Sequence, residues 1–534
     1  MDDFARAAWG DGRLNKRLIK LADRFADKPT ASIPGACPDW SETQAVYRFF
    51  DQANNPKRPL GWQDILQPHI DRTEARMRQH PVVLCLQDTT ELDFNGQRSD
   101  GLGPLSYEAQ RGMYLHPTYA VSPQREPLEV TDAWIWARQP KGTDGKRPGT
   151  RESLRWTEGY ERVAETAQSM PHTRLVYVAD READIVELMR RARDLGHPAD
   201  WLIRSQHNRC LPDGAKLWAA VLSGDVLGEI EFTLPARHGQ TTRTVTQQVW
   251  VRTVSLPDGA GGQVSVTCAI AREVGAPAGV KPVEWRLLTN RAAVGFEAVV
   301  ALIDWYRCRW EIETFFHVLK NGCRVEALQL GHIGQLELAL AVYMVLSWRL
   351  ARLVRLGRTQ PSLLEAIETT FIDQCEAKGV DRQSQVEKSH GRLVGQIASV
   401  LPAKGTVDLV DWPKCKTIAR IDSIRKVGEK ESDLERRYYI SSRDLTAEQL
   451  AAAVRAHWGI ENRLHWVLDV SFGEDGSTVR KDNAPQNLSL LKKIVLNLIR
   501  LDTTDKTKAS LRLKRKGAAW DDDVRMNMLG LTPL

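Results

Sequence analysis

Two short apolar runs that each end in an aspartate constrain this chain more than any other feature. They are Pro81-Val-Val-Leu-Cys-Leu-Gln-Asp88 and Arg174-Leu-Val-Tyr-Val-Ala-Asp180. A run of this length with no polar alternation fits a strand buried on both faces, and such strands belong to sheets covered by helices. An aspartate at the end of each run places a carboxylate at the carboxyl edge of the sheet, where connecting loops open a crevice. Taken singly, each aspartate also reads as a turn or helix-cap residue. Strand patterns over Met113 to Val121 and Leu128 to Ala137 lie between the two runs, with a helix pattern from Trp156 to Ala167. After the second run come a helix pattern from Arg181 to Arg193 and a short strand from Trp201 to Arg204. Three antiparallel strands followed by strand, helix and strand is the layout of a ribonuclease-H-like core.

The rest of the chain divides around that core. Residues 1–75 read as a helical domain, in which Arg13, Lys16, Arg17, Lys20 and Arg24 recur at helical spacing opposite Leu14, Leu18 and Leu21. That stripe is either a solvated face or a helix that tracks phosphates. Residues 76–205 form the first part of the core. The Thr- and Val-rich alternation of 206–280 predicts an inserted β-subdomain. Residues 281–357 complete the core, with long helices over Phe296 to about Lys320 and Leu336 to Leu356. Residues 358–404 read as a junction and 405–534 as a further α/β segment. The fold class expected is therefore α/β.

Several function classes are excluded. No Walker A loop, H-E-x-x-H, zinc spacing or G-x-S-x-G motif occurs. The eight cysteines are scattered with no C-x-x-C pair, which argues against a disulfide framework. The apolar stretch Leu338 to Trp348, bounded by Glu337 and Arg349, is too short to span a bilayer, and the first residues lack a signal-peptide pattern. A cytoplasmic, nucleoid-associated protein is expected. Its 74 Lys and Arg against 68 Asp and Glu permit a nucleic-acid partner without requiring one.

A third carboxylate joins the two aspartates. Tyr306, Arg309, Glu313 and Lys320 stand at i, i+3, i+7 and i+14. At about 100° per residue they fall within an arc of about 60° on one helix. The row carries a phenol, a guanidinium, a carboxylate and an ammonium, flanked by Trp305, Trp310, Phe315 and Phe316. An exposed face laced with ion pairs is the plain alternative. Three carboxylates from two strands and a helix suit a two-metal phosphodiester site, because Mg²⁺ takes oxygen ligands. Mn²⁺ can substitute.

The motifs Gln-Asp88-Thr-Thr, Ala-Asp180-Arg-Glu-Ala-Asp184 and Tyr306-x2-Arg309-x3-Glu313-x6-Lys320 resemble those of the insertion-sequence-four family of cut-and-paste DDE transposases. The 133-residue gap (313 − 180) agrees with a β-insertion at that place in the family. The resemblance runs from residue 1 to about 357 and includes Trp9-Gly-Asp-x-Arg13 and Ala45-x-Tyr47-Arg48-Phe49-Phe50, which are similar to an end-binding domain. It implies that Asp88, Asp180 and Glu313 bind two Mg²⁺ ions and are catalytic. It implies that Tyr306, Arg309 and Lys320 grip the non-transferred strand, that Trp285 stacks on a flipped base and that Arg204 contacts DNA. Gln206 stands where the family pattern has a lysine. Arg13, Lys16, Arg17 and Lys20 are then the end-binding stripe. The implied partners are double-stranded transposon ends and target DNA, with a homodimer in the synaptic complex and no membrane.

The C-terminal segment resembles a different group. Tyr438-Tyr-Ile-Ser-Ser442, His457-Trp-Gly-Ile-Glu-Asn-Arg-Leu-His-Trp466 and Val467-Leu-Asp-Val-Ser-Phe-Gly-Glu-Asp475 are similar to the tail of an H-repeat-associated transposase, in which Glu461 matches a catalytic glutamate. The chain thus reads as one transposase core fused to the tail of another. The basic cluster Lys506 to Lys516, with six Lys or Arg in eleven residues, reads as a solvated face or a non-specific DNA contact. Two rivals to an active transposase stand beside it: a fusion relict that binds DNA and inhibits transposition, and a ribonuclease-H-like structure-specific nuclease.

Overall fold

The computed structural model describes residues 4, 9, 11–149, 151–234, 242–277, 279–359, 371, 380–389, 392–404, 415–427, 430–432, 434–460, 466–473, 477, 479, 484–502 and 509–529. The chain divides into two compact units, 1–359 and 360–534.

The first unit opens with helices α1 (Gly12–Asp27), α2 (Ile33–Ala36), α3 (Trp40–Phe50) and α4 (Trp62–Met77). The strands β1 (Val82–Gln87), β2 (Thr90–Asp93), β3 (Gly103–Pro104), β4 (Arg111–Val121) and β5 (Pro127–Trp136) follow. Then come α5 (Leu154–Gln168), β6 (Arg174–Ala179), α6 (Val186–Asp194), β7 (Asp200–Arg204) and α7 (Leu217–Leu222). The strands β8 (Gly228–Leu234), β9 (Arg243–Pro257), β10 (Gln263–Glu273) and β11 (Glu284–Thr289) lead to α8 (Phe296–Arg307), α9 (Trp310–His317) and α10 (Ile333–Thr359).

The expected apolar strands sit at the centre of a mixed sheet. β1 is buried along Val83–Leu86 and β6 along Leu175–Ala179. The sheet runs β2-β4-β1-β6-β7-β11-β10-β9-β8, with β3 and β5 paired to β4. β1 is antiparallel to β4 but parallel to β6, which is parallel to β7. One sheet face meets α5 and α6 through Trp156, Tyr160, Leu188 and Met189; the other meets α8 to α10. Helix α1 starts where the Asp11 carboxylate accepts the Arg13 amide at 2.8 Å. Its buried face of Leu18, Leu21 and Phe25 packs inward, and Phe25 stacks on Tyr343 of α10 at 5.2 Å. The N-terminal helices therefore share a core with α10 and do not form a body of their own.

Three expectations need revision. The strands of 206–280 do not close into a separate subdomain: β10 pairs with β11, and β9 and β8 carry the main sheet onward. The single helix expected over Phe296 to Lys320 is pinched at Cys308 and Arg309. There the amides of Arg309, Glu311 and Ile312 bond three residues back, at 2.9–3.2 Å, which tightens the backbone to a 3₁₀ turn. Lys320 lies within a second irregularity, a π turn over Val318–Gly322.

The third revision concerns the second unit, described by itself. The junction of 358–404 contains two strands, β12 (Asp381–Ser389) and β13 (Arg392–Pro402). They join β14 (Thr417–Val427), β15 (Lys430–Glu431) and β16 (Glu435–Ser441) in an antiparallel sheet. Helix α11 (Ala447–Ile460) lays Ala447, Leu450 and Ala451 against Ala398, Val400, Ala419 and Ile421. The helices α12 (Trp466–Phe472), α13 (Ala484–Leu501), α14 (Leu511–Trp520) and α15 (Asp522–Met528) complete the unit. Glu461 lies outside the described residues. Among the described residues no helix is long and apolar enough to cross a membrane.

Candidate carboxylate site and nucleic-acid surfaces

The register of the central strands sets the site. Gln87 pairs with Ala179 across the parallel β1 and β6, so Asp88 and Asp180 step off neighbouring strand ends side by side. Neighbouring strands lie about 5 Å apart. Each carboxylate is aimed by its own local turn: Asp88 Oδ1 accepts the Thr89 amide and Asp180 Oδ1 the Glu182 amide, both at 2.8 Å. Asp180 thereby caps the 3₁₀ turn Arg181–Ala183, so its cap reading and its edge position hold together.

The pinch between α8 and α9 brings Arg309 over this edge. Arg309 Nη1 donates to Asp88 Oδ2 at 2.5 Å and lies 3.4 Å from Glu313 Oε1. One guanidinium nitrogen thus bridges the first and third carboxylates. Burial pushes the Asp88 carboxyl up to about 7 against the pull of Arg309, and the charges of Asp180 and Glu313 act in the same direction as burial. Burial also works against the Arg309 charge, but Asp88, Tyr306 and Glu313 outweigh it and raise its pKa. Tyr306 is 6% exposed, and burial raises its phenol against the pull of Arg309 and Arg204.

The other residues of the expected row are further apart. Lys320 Nζ faces Glu326 Oε1 at 3.7 Å, and Glu326 also accepts the Asp93 amide at 2.9 Å. Arg204 ends β7 with its side chain exposed. Trp285 on β11 is half-buried and stacked on Phe232 of β8, with ring centroids 5.3 Å apart and planes at 19°. Arg307 lies over both rings, 5.1 Å from Phe232 and 5.8 Å from Trp285. The ring expected to receive a base is therefore already paired with another ring.

The α1 stripe is present but unequal. Arg13 and Lys16 are exposed and Arg17 is half-buried. Lys20 bonds Glu42 at 2.6 Å, and Arg24 bonds the same carboxylate at 2.7 Å. Arg13, Lys16, Arg17 and Lys20 line a shallow cavity of about 340 Å³ against the first turn of α3.

Two features were missed from the sequence. Asp184, the last residue of the Asp-Arg-Glu-Ala-Asp motif, is a buried anchor: it accepts the amides of Gln206 and His207 at 2.7 and 2.9 Å and Arg209 Nη1 at 2.6 Å. It fixes the segment after β7, and its place three residues into a turn signalled only polarity. Beside Thr89 and Glu182 lies a second cavity, of about 450 Å³. Its wall is a four-layer stack in which Arg138 covers Tyr114 (4.0 Å), Tyr114 stacks on Trp136 (5.2 Å) and Arg155 covers Trp136 (3.7 Å). The alternation of Trp134 and Trp136 along β5 was its only sequence signal.

Comparison with known proteins gives the family. A transposase DNA-binding family model matches residues 1–55, and a transposase DDE domain model matches 157–348 and 367–498. The chain belongs to the DDE transposase family. The DDE match spans the positions of Asp180, Glu313 and Glu461, and it begins after Asp88. Among curated proteins the chain is 36% identical over 178 residues to the "H repeat-associated putative transposase YhhI" of Escherichia coli K12, covering 32% of this chain and 46% of that protein. It is 38% identical over 155 residues to YbfL of the same strain, covering 28% and 40%. The chain thus spans less than half the length of these relatives. A solved piggyBac transposase synaptic complex with hairpin DNA is similar over 67% of each chain at 10% identity, with a TM-score of 0.33.

Proposed function

We propose that the chain is a cut-and-paste transposase of the insertion-sequence-four kind, which binds inverted-repeat DNA ends, cleaves beside them and joins them to target DNA. Asp88, Asp180 and Glu313 are its active-site carboxylates. The observation that carries this reading is the pairing of two aspartates at adjacent parallel strand ends, the first of which shares a guanidinium with the glutamate. The strand order β5-β4-β1-β6-β7, with β1 antiparallel to β4 and parallel to β6, supports a ribonuclease-H-like core.

The donor set fits divalent ions in chemistry: three carboxylates supply only oxygen ligands, which suits Mg²⁺ and Mn²⁺. A guanidinium already stands between two of them as a stand-in cation. Among the described residues no three such groups close to ligand spacing. DDE domains generally use divalent metal, and two bound ions would supply activation of the attacking oxygen and stabilisation of the leaving one. Around the carboxylates the chain's own residues do the positioning. Arg13, Lys16 and Arg17 hold phosphates of the end, Lys320 and Arg204 hold phosphates nearer the reacting bond, and a base displaced from the duplex competes with Phe232 for the Trp285 ring. Base stacking of that kind is worth about 1–3 kcal/mol. Two protomers bridging two ends complete the reaction.

A joining assay with pre-cleaved inverted-repeat ends, taken from the DNA flanking the gene, tests the reading. Joined product in Mg²⁺ supports it. End binding without cleavage or joining indicates a DNA-binding relict, and cleavage without joining a structure-specific nuclease.

A further inference from the structure

The Arg309 side chain is oddly placed for a residue expected to grip DNA. It is 9% exposed, it bonds Asp88 at 2.5 Å and approaches Glu313 at 3.4 Å, and its guanidinium lies 5.2 Å from the centre of the Trp310 ring. The Nη1 through which both carboxylates hold it cannot pair with a phosphate at the same time. A divalent ion likewise cannot share Asp88 and Glu313 with a positive charge standing between them, because like charges a few ångströms apart in a half-buried site repel strongly. Lys320, the other cation of the row, is turned to Glu326. Arg309 stands at the N-cap of α9, on the 3₁₀ pinch between two regular helices.

We propose that Arg309 is the resident counter-cation of the carboxylate site, holding Asp88 and Glu313 in place of a divalent ion until a DNA phosphate draws it away. Resting on the reading of those carboxylates as metal ligands, this makes DNA binding and metal loading mutually favourable: each removes a competitor of the other. The coupling is reciprocal, so the ion must tighten DNA binding by the factor by which DNA tightens ion binding. It also keeps the site from loading a metal, and so from cutting, away from a bound end.

The experiment is a Mn²⁺ titration of the full chain followed by electron paramagnetic resonance, in which bound ion loses the free-ion signal. Wild type is titrated alone and with a duplex carrying the inverted repeat. Arg309→Ala and Arg309→Gln are titrated in the same two ways, after thermal melts establish that each is folded. The duplex should tighten Mn²⁺ binding by wild type about tenfold or more, within the usual range of such couplings. Both variants should bind Mn²⁺ that tightly without DNA, and the duplex should add little. If folded Arg309→Ala and Arg309→Gln bind Mn²⁺ no tighter than wild type in the absence of DNA, the proposal is overturned. Asp88→Asn separates the two levels of the argument. If it leaves Mn²⁺ affinity unchanged with and without DNA, the carboxylate-site reading itself has failed; if it abolishes binding while the Arg309 variants match wild type, only the counter-cation role has failed.

Discussion

Asp88→Asn should stabilise the metal-free protein, and do so increasingly as pH rises. Burial pushes the Asp88 carboxyl up to about 7 in the folded state, whereas an unfolded aspartate titrates near 4. Folded protein therefore binds one more proton than unfolded protein across that window. The stability of a group with a raised pKa is fully present below the unfolded value and is lost as pH rises through the folded one. About three pKa units at about 1.4 kcal/mol each give a cost of about 4 kcal/mol above pH 7. Asparagine has the same shape and no charge to desolvate, so it escapes this cost while keeping a polar contact for Arg309. For a unit of 359 residues, with an unfolding entropy of about 2 cal/mol/K per residue, 4 kcal/mol corresponds to a rise of about 5 °C in Tm. Near pH 4.5 the same arithmetic leaves about 1 kcal/mol and a rise of about 1 °C. Melts of wild type and Asp88→Asn in chelator at both pH values check this. An equal shift at both pH values, or a lower Tm for Asp88→Asn at the higher one, would refute the electrostatic reasoning.

Asp184→Ala should destabilise the first unit by about 3–5 kcal/mol, seen as a lower Tm, because it leaves Arg209 and two amides without their buried acceptor. Lys16→Ala should weaken end binding and reduce the salt dependence of affinity by about one phosphate contact, whereas Lys20→Ala should do less, since Lys20 is held by Glu42. Fluorescence titrations at several salt concentrations read both effects. Trp285→Ala and Lys320→Ala should slow cleavage of the second, non-transferred strand more than first-strand nicking; equal loss at both steps in single-turnover gels would assign these residues to folding or general binding.

The central strands and the two strand-end aspartates were legible because a run buried on both faces has no polar alternation and stops where the chain must turn. The register that sets Asp88 beside Asp180 follows from strands that begin and end together, which the sequence pattern contains. The pinch at Arg309 was not legible. Its apolar periodicity continues unbroken from α8 to α9, and the partner that Arg309 meets there lies 221 positions away in the chain. The extension of the sheet by β8 to β10 was hidden for a similar reason: alternation marks a strand but does not name its neighbour. β12 escaped notice because Val386 is its single apolar side chain, so neither face carries a pattern. Asp184 and Phe232 owe their roles to partners distant in sequence, which no local motif encodes.

The central claim is that the working carboxylates are Asp88, Asp180 and Glu313, and that Glu461 is silent because residues 405–534 lack the aspartate pair of the family its motif resembles and a single carboxylate does not hold two Mg²⁺ ions. Cleavage of an inverted-repeat duplex in Mg²⁺ by Glu313→Gln and Glu461→Gln, side by side with wild type, tests it most directly. The account predicts no detectable cleavage by Glu313→Gln and a wild-type rate for Glu461→Gln. The reverse outcome, an active Glu313→Gln and a dead Glu461→Gln, would place the active site elsewhere and contradict the account.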